Sequence, residues 1–583
     1  MLDSMRHEPF YGTGSWIDES LGVYVGWVER EPSFAAEMPL RSESGEKVLV
    51  FFGEDFPEPG TPQRLRERGH TLNLGDRSYL VHLSEEDAAF PAGLNGQFHG
   101  LLADRREGTV TLFNDRYGLR RLCYHEGTDA LYFGAEAKAI LAVCPEVRSL
   151  DARALGEYIA CGCVLEGRTL FSGVSVLPNA SAWVFRGGRL EKQQEYFSPR
   201  EWESQTAMDP GPYYEAVRES FSRSLPRYFA GPEKVGLSLT GGLDTRMILA
   251  WRHPAPASLP CYTFAGTYRE CRDVRIARKV ARACGQPHQA IEVGSEFLSR
   301  FPHYAQRAVY LTDGCAGVQQ APDLYVNELA RQIAPVRLTG NYGDQVLRHI
   351  TVFHPVSPTT GLYRKDCMDQ VAAARETYGR VVQGHALTVA AFRQVPWSYQ
   401  GMFALESSQL TMRSPYIDND LVKLVYRAPD SALASNDLRV RLIEDGDREL
   451  AKIRTDLGFA GNGLTSSLSH RLHDFTFRTE YAYDYGMPQS LARIDHMLSV
   501  FHLERLFLGR HKFCHFRVWY RDKLADYVRE MLLDSRTLSR PYLRGNALES
   551  MVKGHLKGNR NYTTDIHGIL TLEHVHRLFL DSQ

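Results

Sequence analysis

The sequence predicts a multidomain fold: a sheet-rich N-terminal domain, then an α/β domain built on a parallel sheet, then a helical C-terminal tail. Three observations predict it. Short β-rich runs fill the first part of the chain, strands then alternate with helices, and from about Thr465 the pattern is helical. A length of 583 residues also exceeds one ordinary core and suggests two or three domains.

Composition narrows the class of partner. The chain is 43% hydrophobic and 24% charged, as in ordinary globular proteins, and its formal net charge of -2 disfavours nucleic acid or an anionic membrane as partner. It has no apolar run near the roughly 20 residues that span a bilayer, and no signal-peptide pattern at its start. We therefore expect a cytoplasmic protein with small-molecule partners. The ten cysteines are scattered, without a histidine cluster at metal-ligand spacing, which predicts reduced thiols.

The N-terminal sheet is predicted from runs separated by Gly, Pro and Asp turns. These runs are "LGVYVGWV" (21–28), "KVLVFFG" (47–53) and "TVTLFND" (109–115). A polar stretch between Leu190 and Pro212 is typical of a linker. We predict domains at residues 1–200 and 211–464, with a helical extension at 465–583.

The second domain shows strand and helix in alternation, which predicts a parallel sheet with helices on both faces. Its strands are "KVGLSLT", "PCYTFAG", "HQAIEV" and "PVRLTG", and helices are predicted from Thr245 and over residues 272–284.

The stretch "LSLTGGLDTRMI" (237–248) places two glycines and Asp244 between a buried strand and a helix. Unpaired N–H groups at a helix N-terminus bind phosphate, and glycine allows close approach. The Walker pattern is missing because no Lys-Ser/Thr pair follows Gly242. The alternative is a packing turn in which Asp244 caps the helix.

A second stretch, "VRLTGNYGDQVL" (336–347), repeats this arrangement with Asp344. Ligands of parallel sheets bind at the carboxyl ends of the strands. Asp244 and Asp344 could therefore share a Mg²⁺ ion that bridges nucleotide phosphates, although Asp344 alone could equally be a helix cap.

These motifs resemble the asparagine synthetase family. "LTGGLDTR" resembles its pyrophosphate loop, "LTGNYGDQVL" its second nucleotide loop, and "LTMRSPYIDNDLVKLVYRAP" (410–429) its Arg-x-Pro-Phe-Leu-Asp segment. The resemblance implies an adenine nucleotide α-hydrolase-like fold and adenylation of a carboxylate with ATP and Mg²⁺, followed by attack of an amine. It implies metal ligation by Asp244 and Asp344, and ATP contacts from Leu239, Thr240, Gly241, Gly242, Asp244, Thr245, Gly266, Thr339 and Gly340.

The N-terminal part resembles the glutaminase domain of the same family, through "LNG-x-F" at 94–98, "DRYGLR" at 115–120, and Ala135, Glu136 and Lys138. This implies an α+β N-terminal-nucleophile (Ntn) type αββα sandwich. The family's nucleophilic N-terminal cysteine is missing, since Leu2 stands at residue two, and Phe52 replaces the asparagine of Asn-Gly-Glu, leaving Gly53, Glu54 and possibly Asp76. We predict that the domain does not hydrolyse glutamine through an N-terminal thiol.

The synthetase part also departs from the family. Asn341 stands where the family has a catalytic glutamate, Gln345 replaces the next acid, and Asp456 occupies the position of a late lysine in "RTDLGF" (454–459). Either Arg454, Arg413 or Arg439 substitutes for that lysine, or adenylation is weakened. Asp456 could act as a base for the amine or could be a turn residue. The candidate catalytic residues are thus Asp244, Asp344, Asn341, Asp456 and Arg454.

We therefore expect an asparagine-synthetase-like ATP-dependent amide-bond-forming ligase that uses ammonia or another amine, with asparagine synthase as the default. An amide or isopeptide ligase, or a uronic-acid amidotransferase, of a polysaccharide or natural-product pathway is one alternative. A non-catalytic nucleotide-binding scaffold is another. The substrates would be a small carboxylic acid and an amine, and the chain could form a homodimer.

Overall fold

The computed structural model describes residues 1–30, 37–72, 77–455, 475–497, 504 and 508–581. Asp76 and Asp456, both singled out from the sequence, lie outside these residues. Within them, no helix is both long and apolar enough to cross a lipid bilayer.

The N-terminal part contains eleven described strands. They are β1 (Tyr11–Asp18), β2 (Val23–Arg30), β3 (Leu40–Arg41), β4 (Lys47–Asp55), β5 (Gly96–Asp104), β6 (Thr109–Asn114), β7 (Cys123–Glu126), β8 (Leu131–Gly134), β9 (Ser175–Val176), β10 (Ser181–Arg186) and β11 (Arg189–Glu195). An antiparallel sheet of six has the order β11-β10-β6-β5-β4-β3, and β1-β2 and β8-β7-β9 form two smaller sheets. Five short helices accompany them: α1 (Leu2–Met5), α2 (Thr61–Glu67), α3 (Tyr79–Glu86), α4 (Ala137–Leu141) and α5 (Ala152–Cys161).

The alternating side chains of β4 show how these layers stack. Leu49 and Phe51 join a core with α2 and α3, whereas Val48 and Val50 join a second core with β1 and β2. Because successive strand residues point to opposite faces, the six-stranded sheet has helices on one side and a β layer on the other. Helix α4 packs against β7 and β8. The predicted αββα sandwich is confirmed.

The second sheet is parallel throughout. It contains β12 (Val235–Ser238), β13 (Cys261–Gly266), β14 (His288–Val293), β15 (Val336–Leu338) and β16 (Thr411–Arg413), in the order β14-β13-β12-β15-β16. The chain moves outward from β12 to β14, then returns to the other side of β12 with β15. This reversal of direction between β12 and β15 is the topological switch point at which open α/β sheets bind ligands.

Helices connect and cover these strands. They are α6 (Arg200–Glu203), α7 (Pro210–Ser224), α8 (Asp244–Arg252), α9 (Arg272–Ala283), α10 (Ser295–Ser299), α11 (Phe301–Leu311), α12 (Ala321–Ile333), α13 (Gly343–Leu347), α14 (Lys365–Val381), α15 (Ala386–Val389), α16 (Val395–Ser398), α17 (Gln400–Gln409), α18 (Asn419–Val425), α19 (Asp430–Leu433), α20 (Asp437–Gly446) and α21 (Arg448–Lys452).

The described C-terminal residues are helical, as predicted. They form α22 (Gln489–Met497), α23 (Phe516–Arg521), α24 (Ala525–Leu532), α25 (Ser535–Leu538), α26 (Gly545–Leu556) and α27 (Thr563–Val575), and residues 475–481 are also helical. Trp519, Ile566 and Leu570 belong to the same core as Leu237 and Leu338 of the parallel sheet. The tail is therefore packed into the α/β domain.

Candidate functional site

The two glycine-containing loops lie side by side because β12 and β15 are neighbours. Leu237 of β12 pairs with Leu338 of β15, so both strands end at the same edge of the sheet, at the switch point. Helix α8 starts at Asp244 and α13 at Gly343. The N-termini of both helices therefore lie beside these loops, at the same edge of the sheet.

The first loop is held in shape by its own threonines. The Thr245 hydroxyl accepts from Thr240 N–H and lies 3.2 Å from Thr240 Oγ1, and Gly242 N–H donates to that Oγ1 at 3.3 Å. Gly241 N–H donates to the carboxylate of Asp273, in the first turn of α9, at 2.5 Å. Because this N–H already donates to a carboxylate oxygen, the loop is able to hold an anionic oxygen.

Arg246 links this loop to the end of α21. Its buried guanidinium donates to the carbonyl oxygens of Gly241, at 3.2 Å, of Leu450, at 3.4 Å, and of Ile453. Arg246 thus holds the end of α21 against the first glycine loop.

The second loop approaches the first so closely that two glycines are required. A Cβ atom on Gly343 would lie 2.4 Å from Asp244 Cγ, and one on Gly340 would lie 2.9 Å from Asp244 Cβ. A backbone hydrogen bond connects the start of the second loop to β16: Thr339 N–H donates to the Arg413 carbonyl oxygen at 3.0 Å. The spacing of glycines in "TGNYGD" is thereby explained by contact with Asp244.

Asp244 and Asp344 meet at one cation, the guanidinium of Arg439 in α20. Arg439 Nη1 lies 2.8 Å from Asp244 Oδ1 and 2.8 Å from Asp344 Oδ1. Burial raises the pKa of Asp244, Arg439 lowers it, and the negative charge of Asp344 raises it further. The two acids raise the pKa of Arg439 against the effect of burial. Two carboxylates that converge on one positive group form a cation-binding pair.

The donor set suits Mg²⁺, a hard cation that binds a few carboxylate oxygens together with phosphate. Arg439 stands at the shared point, so a metal ion would require the guanidinium to withdraw. The alternative helix-cap role is not observed for Asp244: it is the first residue of α8, and no side chain caps that helix. Its carboxylate is directed to Arg439 instead.

The remaining predicted residues divide into three groups. Leu239 and Thr339 are buried at the two strand ends. Gly266 ends β13, and a Cβ there would lie 2.6 Å from the carbonyl oxygen of Phe513, so the C-terminal segment borders this strand end. Arg454 is exposed. It approaches the loop by its backbone, because its carbonyl oxygen lies 3.5 Å from Arg246 Nη2. Of the three arginines considered as substitutes for the missing lysine, Arg439 contacts the acids.

Asn341 lies in the second loop, where its carbonyl accepts from Ser414 Oγ at 2.6 Å. Its side chain lies beside Glu406 of α17, whose pKa is raised by burial and lowered by Arg337 and by Asn341. Glu406 pairs with Arg337 at 2.8 Å. Neither Glu406 nor Asp273 was predicted, although an acid inside an apolar helix and an acid in a first helical turn are usable signals in a sequence.

A cavity of about 780 Å³ lies between the N-terminal sandwich and the α/β domain. Phe52, Glu54 and Arg120 line it from one side, and Phe403 and Thr411 from the other. Glu54, a remnant of the family's glutamine-holding motif, lies 2.6 Å from Arg413 Nη2 in a buried ion pair. Arg413 is therefore engaged by the sandwich and does not reach the acids of the phosphate loops.

The described residues that line this cavity include two cysteines, Cys123 and Cys315. Burial raises the pKa of both thiols. A thiol in this environment stays protonated near neutral pH and is a weak nucleophile.

Comparison with protein families gives two matches in consecutive parts of the chain. Residues 1–197 match the glutamine amidotransferase domain, and residues 216–400 match asparagine synthase. The first match covers the sandwich, and the second covers both glycine loops.

Several relatives are similar in sequence. Asparagine synthetase [glutamine-hydrolyzing] 1 of Bacillus subtilis is 23% identical over 321 residues, which are 54% of this chain and 49% of the relative. Amidase chry2 of Gibberella zeae is 24% identical over 52% of this chain and 47% of the relative, and the mouse asparagine synthetase is 23% identical over 42% and 44%. The matches thus span about half the length of these relatives.

Among solved structures, the glutamine phosphoribosylpyrophosphate amidotransferase of B. subtilis, complexed with ADP and GMP, aligns with a TM-score of 0.21 and 15% identity, over 46% of this chain and 50% of that one. The glutamine-dependent NAD⁺ synthetase of Acinetobacter baumannii aligns with a TM-score of 0.18 and 14% identity, over 57% and 73%.

Proposed function

We propose that the chain, which matches a glutamine amidotransferase domain and asparagine synthase in consecutive parts and is similar to asparagine synthetases, is an ATP-dependent carbon–nitrogen ligase that activates a carboxylic acid as its adenylate. In the first step a carboxylate oxygen bonds to the α-phosphorus of ATP and pyrophosphate leaves. In the second, an amine nitrogen bonds to the acyl carbon and AMP leaves. Aspartate with ammonia, giving asparagine, is the default pair of substrates.

One observation carries this proposal: Asp244 and Asp344, at the ends of neighbouring parallel strands, converge on a single positive group beside a glycine loop. A triphosphate on this loop would receive N–H groups from Gly241 and Gly242, in place of Asp273 and Thr240. Mg²⁺, held by Asp244 and Asp344, would neutralise phosphate charge. After withdrawing from the two acids, Arg439 would supply positive charge beside the phosphates, which is the task left open by the loss of the family's lysine.

We further propose that the amine does not come from glutamine. Glu54 forms an ion pair with Arg413, and Phe52 stands where the family's glutamine-holding motif has asparagine. The pKa values of the two described thiols that line the cavity, Cys123 and Cys315, are raised. Neither of these two thiols is therefore an activated nucleophile for the glutamine amide. Free ammonia or a larger amine would then enter the second step.

The test is acid-dependent exchange of labelled pyrophosphate into ATP, measured over a panel of carboxylic acids. We expect at least one acid to support exchange that requires Mg²⁺ and falls at least a hundredfold in Asp244→Asn. Asp369→Asn, an exposed acid of α14 paired with Lys365, is the matched control and should exchange normally. If ATP binds and no acid on the panel supports exchange, the chain is a nucleotide-binding scaffold.

Use of glutamine is measured separately, as release of glutamate from glutamine by the purified protein. We expect none above background. Sustained release that is abolished by a thiol alkylator would contradict the proposal.

A further inference from the structure

A second group of ligand-type side chains lies in the sandwich, where His70 follows α2 and faces α3. His70 Nδ1 lies 3.1 Å from His82 Nδ1 and 3.5 Å from Glu85 Oε2, and His82 Nδ1 lies 2.8 Å from the same Oε2. Three donor atoms from three residues therefore form a small triangle, with His82 and Glu85 on one face of α3 at i and i+3. None of these residues belongs to the ligase site.

We propose that His70, His82 and Glu85 form a binding site for Zn²⁺ or a similar divalent transition metal. Zinc binds imidazole nitrogen and carboxylate oxygen at about 2.0–2.2 Å, so two ligand atoms of a tetrahedral site lie roughly 3.3–3.5 Å apart. The observed separations of 2.8–3.5 Å span this value. Two imidazoles and one carboxylate are also a donor set that suits zinc better than Mg²⁺ or Ca²⁺.

Hydrogen bonds alone account poorly for this triangle. A neutral imidazole carries one N–H, and its other nitrogen is an acceptor. If only one of the two Nδ1 atoms is protonated, its hydrogen can donate to one neighbour only. The lone pair of the unprotonated Nδ1 then faces the Glu85 Oε2 acceptor. If both are protonated, the two N–H groups face each other at 3.1 Å. A cation at the centre satisfies all three lone pairs.

The outer contacts match those of a metal-bound histidine. His70 Nε2 lies 3.1 Å from Glu86 Oε1, so its N–H can donate to that carboxylate while Nδ1 remains free for a metal. Glu86 is held in turn by Arg68. His82 is 2% exposed, whereas the Glu85 side chain is 26% exposed, so the cluster faces solvent at Glu85.

Such a metal would connect the end of α2 with α3 and so stabilise the helical layer of the sandwich. The pattern His-x₁₁-His-x₂-Glu does not correspond to a familiar zinc motif, which is why the sequence predicted no histidine cluster. The fold brings His70 back onto α3. A second described cluster, His125 with Cys144 and Glu146, also has its ligand atoms within 4.8 Å of one another, and it provides an internal control.

The experiment measures metal content of the full-length protein, untagged and purified with added ZnSO₄, after dialysis. We expect about one zinc per chain, at least tenfold less in Glu85→Ala and in His70→Ala, and unchanged content in His125→Ala. Co²⁺ substitution should give the visible absorption bands of a tetrahedral ion in wild type and not in Glu85→Ala. Glu85 is partly exposed, so this variant should fold, and circular dichroism checks that it does.

Three results would overturn the proposal: no zinc retained by the wild type, zinc retained in both Glu85→Ala and His70→Ala, or zinc lost in His125→Ala instead. Pyrophosphate exchange does not enter this test. The zinc site can therefore fail while the proposed ligase function stands, and the reverse.

Discussion

Replacing Arg439 with methionine would remove the positive charge between Asp244 and Asp344 while keeping a side chain of similar length. Because Arg439 Nη1 lies 2.8 Å from each Oδ1, the two carboxylate oxygens are at most about 5.6 Å apart. Two unit charges at that distance repel by about 3 kcal/mol at an effective dielectric constant of ~20. The Asp344 side chain is 47% exposed, so water screening reduces the repulsion toward about 1 kcal/mol.

We therefore expect Arg439→Met to lower the free energy of unfolding by about 1–3 kcal/mol at pH 8. The pKa of Asp244 is already raised, and loss of Arg439 raises it further. A group whose pKa is raised by folding loses its contribution to stability as pH rises through the folded value. The deficit should accordingly be smaller at the lower pH, because protonation of Asp244 in the variant removes the repulsion.

The assay is urea unfolding at pH 5 and pH 8, with and without 10 mM MgCl₂. Mg²⁺ should recover much of the deficit at pH 8, since a divalent cation can take the shared position. Arg441→Met is the control: this exposed arginine of α20 stacks on Tyr214, 3.6 Å from the ring centre, and has no contact with the two acids. A deficit that is equal at both pH values and indifferent to Mg²⁺ would refute the reasoning.

Three further predictions concern other contacts. Gly343→Ala places a Cβ 2.4 Å from Asp244 Cγ; we expect pyrophosphate exchange to fall at least tenfold, and the free energy of unfolding by about 1–3 kcal/mol. Glu54→Gln leaves the Arg413 guanidinium buried without its counter-ion and should cost about 3–5 kcal/mol in urea unfolding, with partial recovery in the double variant with Arg413→Met. Burial lowers the pKa of His567 to about 3, so its contribution to stability is present above pH 6.5 and is lost as pH falls toward 3. We expect His567→Gln to flatten the dependence of unfolding free energy on pH between 7 and 4.

Each of these variants has a matched control. Gly379→Ala, in α14, adds a Cβ with nothing within 4 Å and should keep full exchange activity. Glu58→Gln alters an exposed ion pair with Arg64 and should cost less than about 1 kcal/mol. His496→Gln changes an exposed histidine and should leave the pH dependence as it is. Equal effects in a variant and its control would contradict the corresponding prediction.

Local features were predictable from the sequence because they depend on neighbouring residues. β4 was expected over residues 47–53 and spans Lys47–Asp55; α9 was expected over 272–284 and spans Arg272–Ala283. The glycines of both loops follow their strands as predicted: Gly241 and Gly242 lie before α8, Gly340 lies before α13, and Gly343 is the first residue of α13. The boundaries of the three predicted domains and the roles of the site residues remain predictions.

Most contacts between distant segments could not be predicted. The convergence of Asp244 and Asp344 was expected from their places after two strands of a parallel sheet, although β13 and β14 separate β12 from β15 in the chain and the adjacency depends on the strand order. Arg413 was considered as a substitute for the missing lysine, but burial against Glu54 assigns it to the contact between sandwich and α/β domain. The sequence offers no periodicity for such pairs, because the partners lie on different elements.

The backbone of Phe513 lies directly against Gly266, at the end of β13. The C-terminal segment therefore forms one border of the crevice in which we place the nucleotide, and the glycine is the residue that makes room for it. Under the proposed function, we expect a change of length or composition in this tail to alter nucleotide affinity without altering either glycine loop. Relatives with the same loops and different tails should then differ in the base or the substrate that they accept.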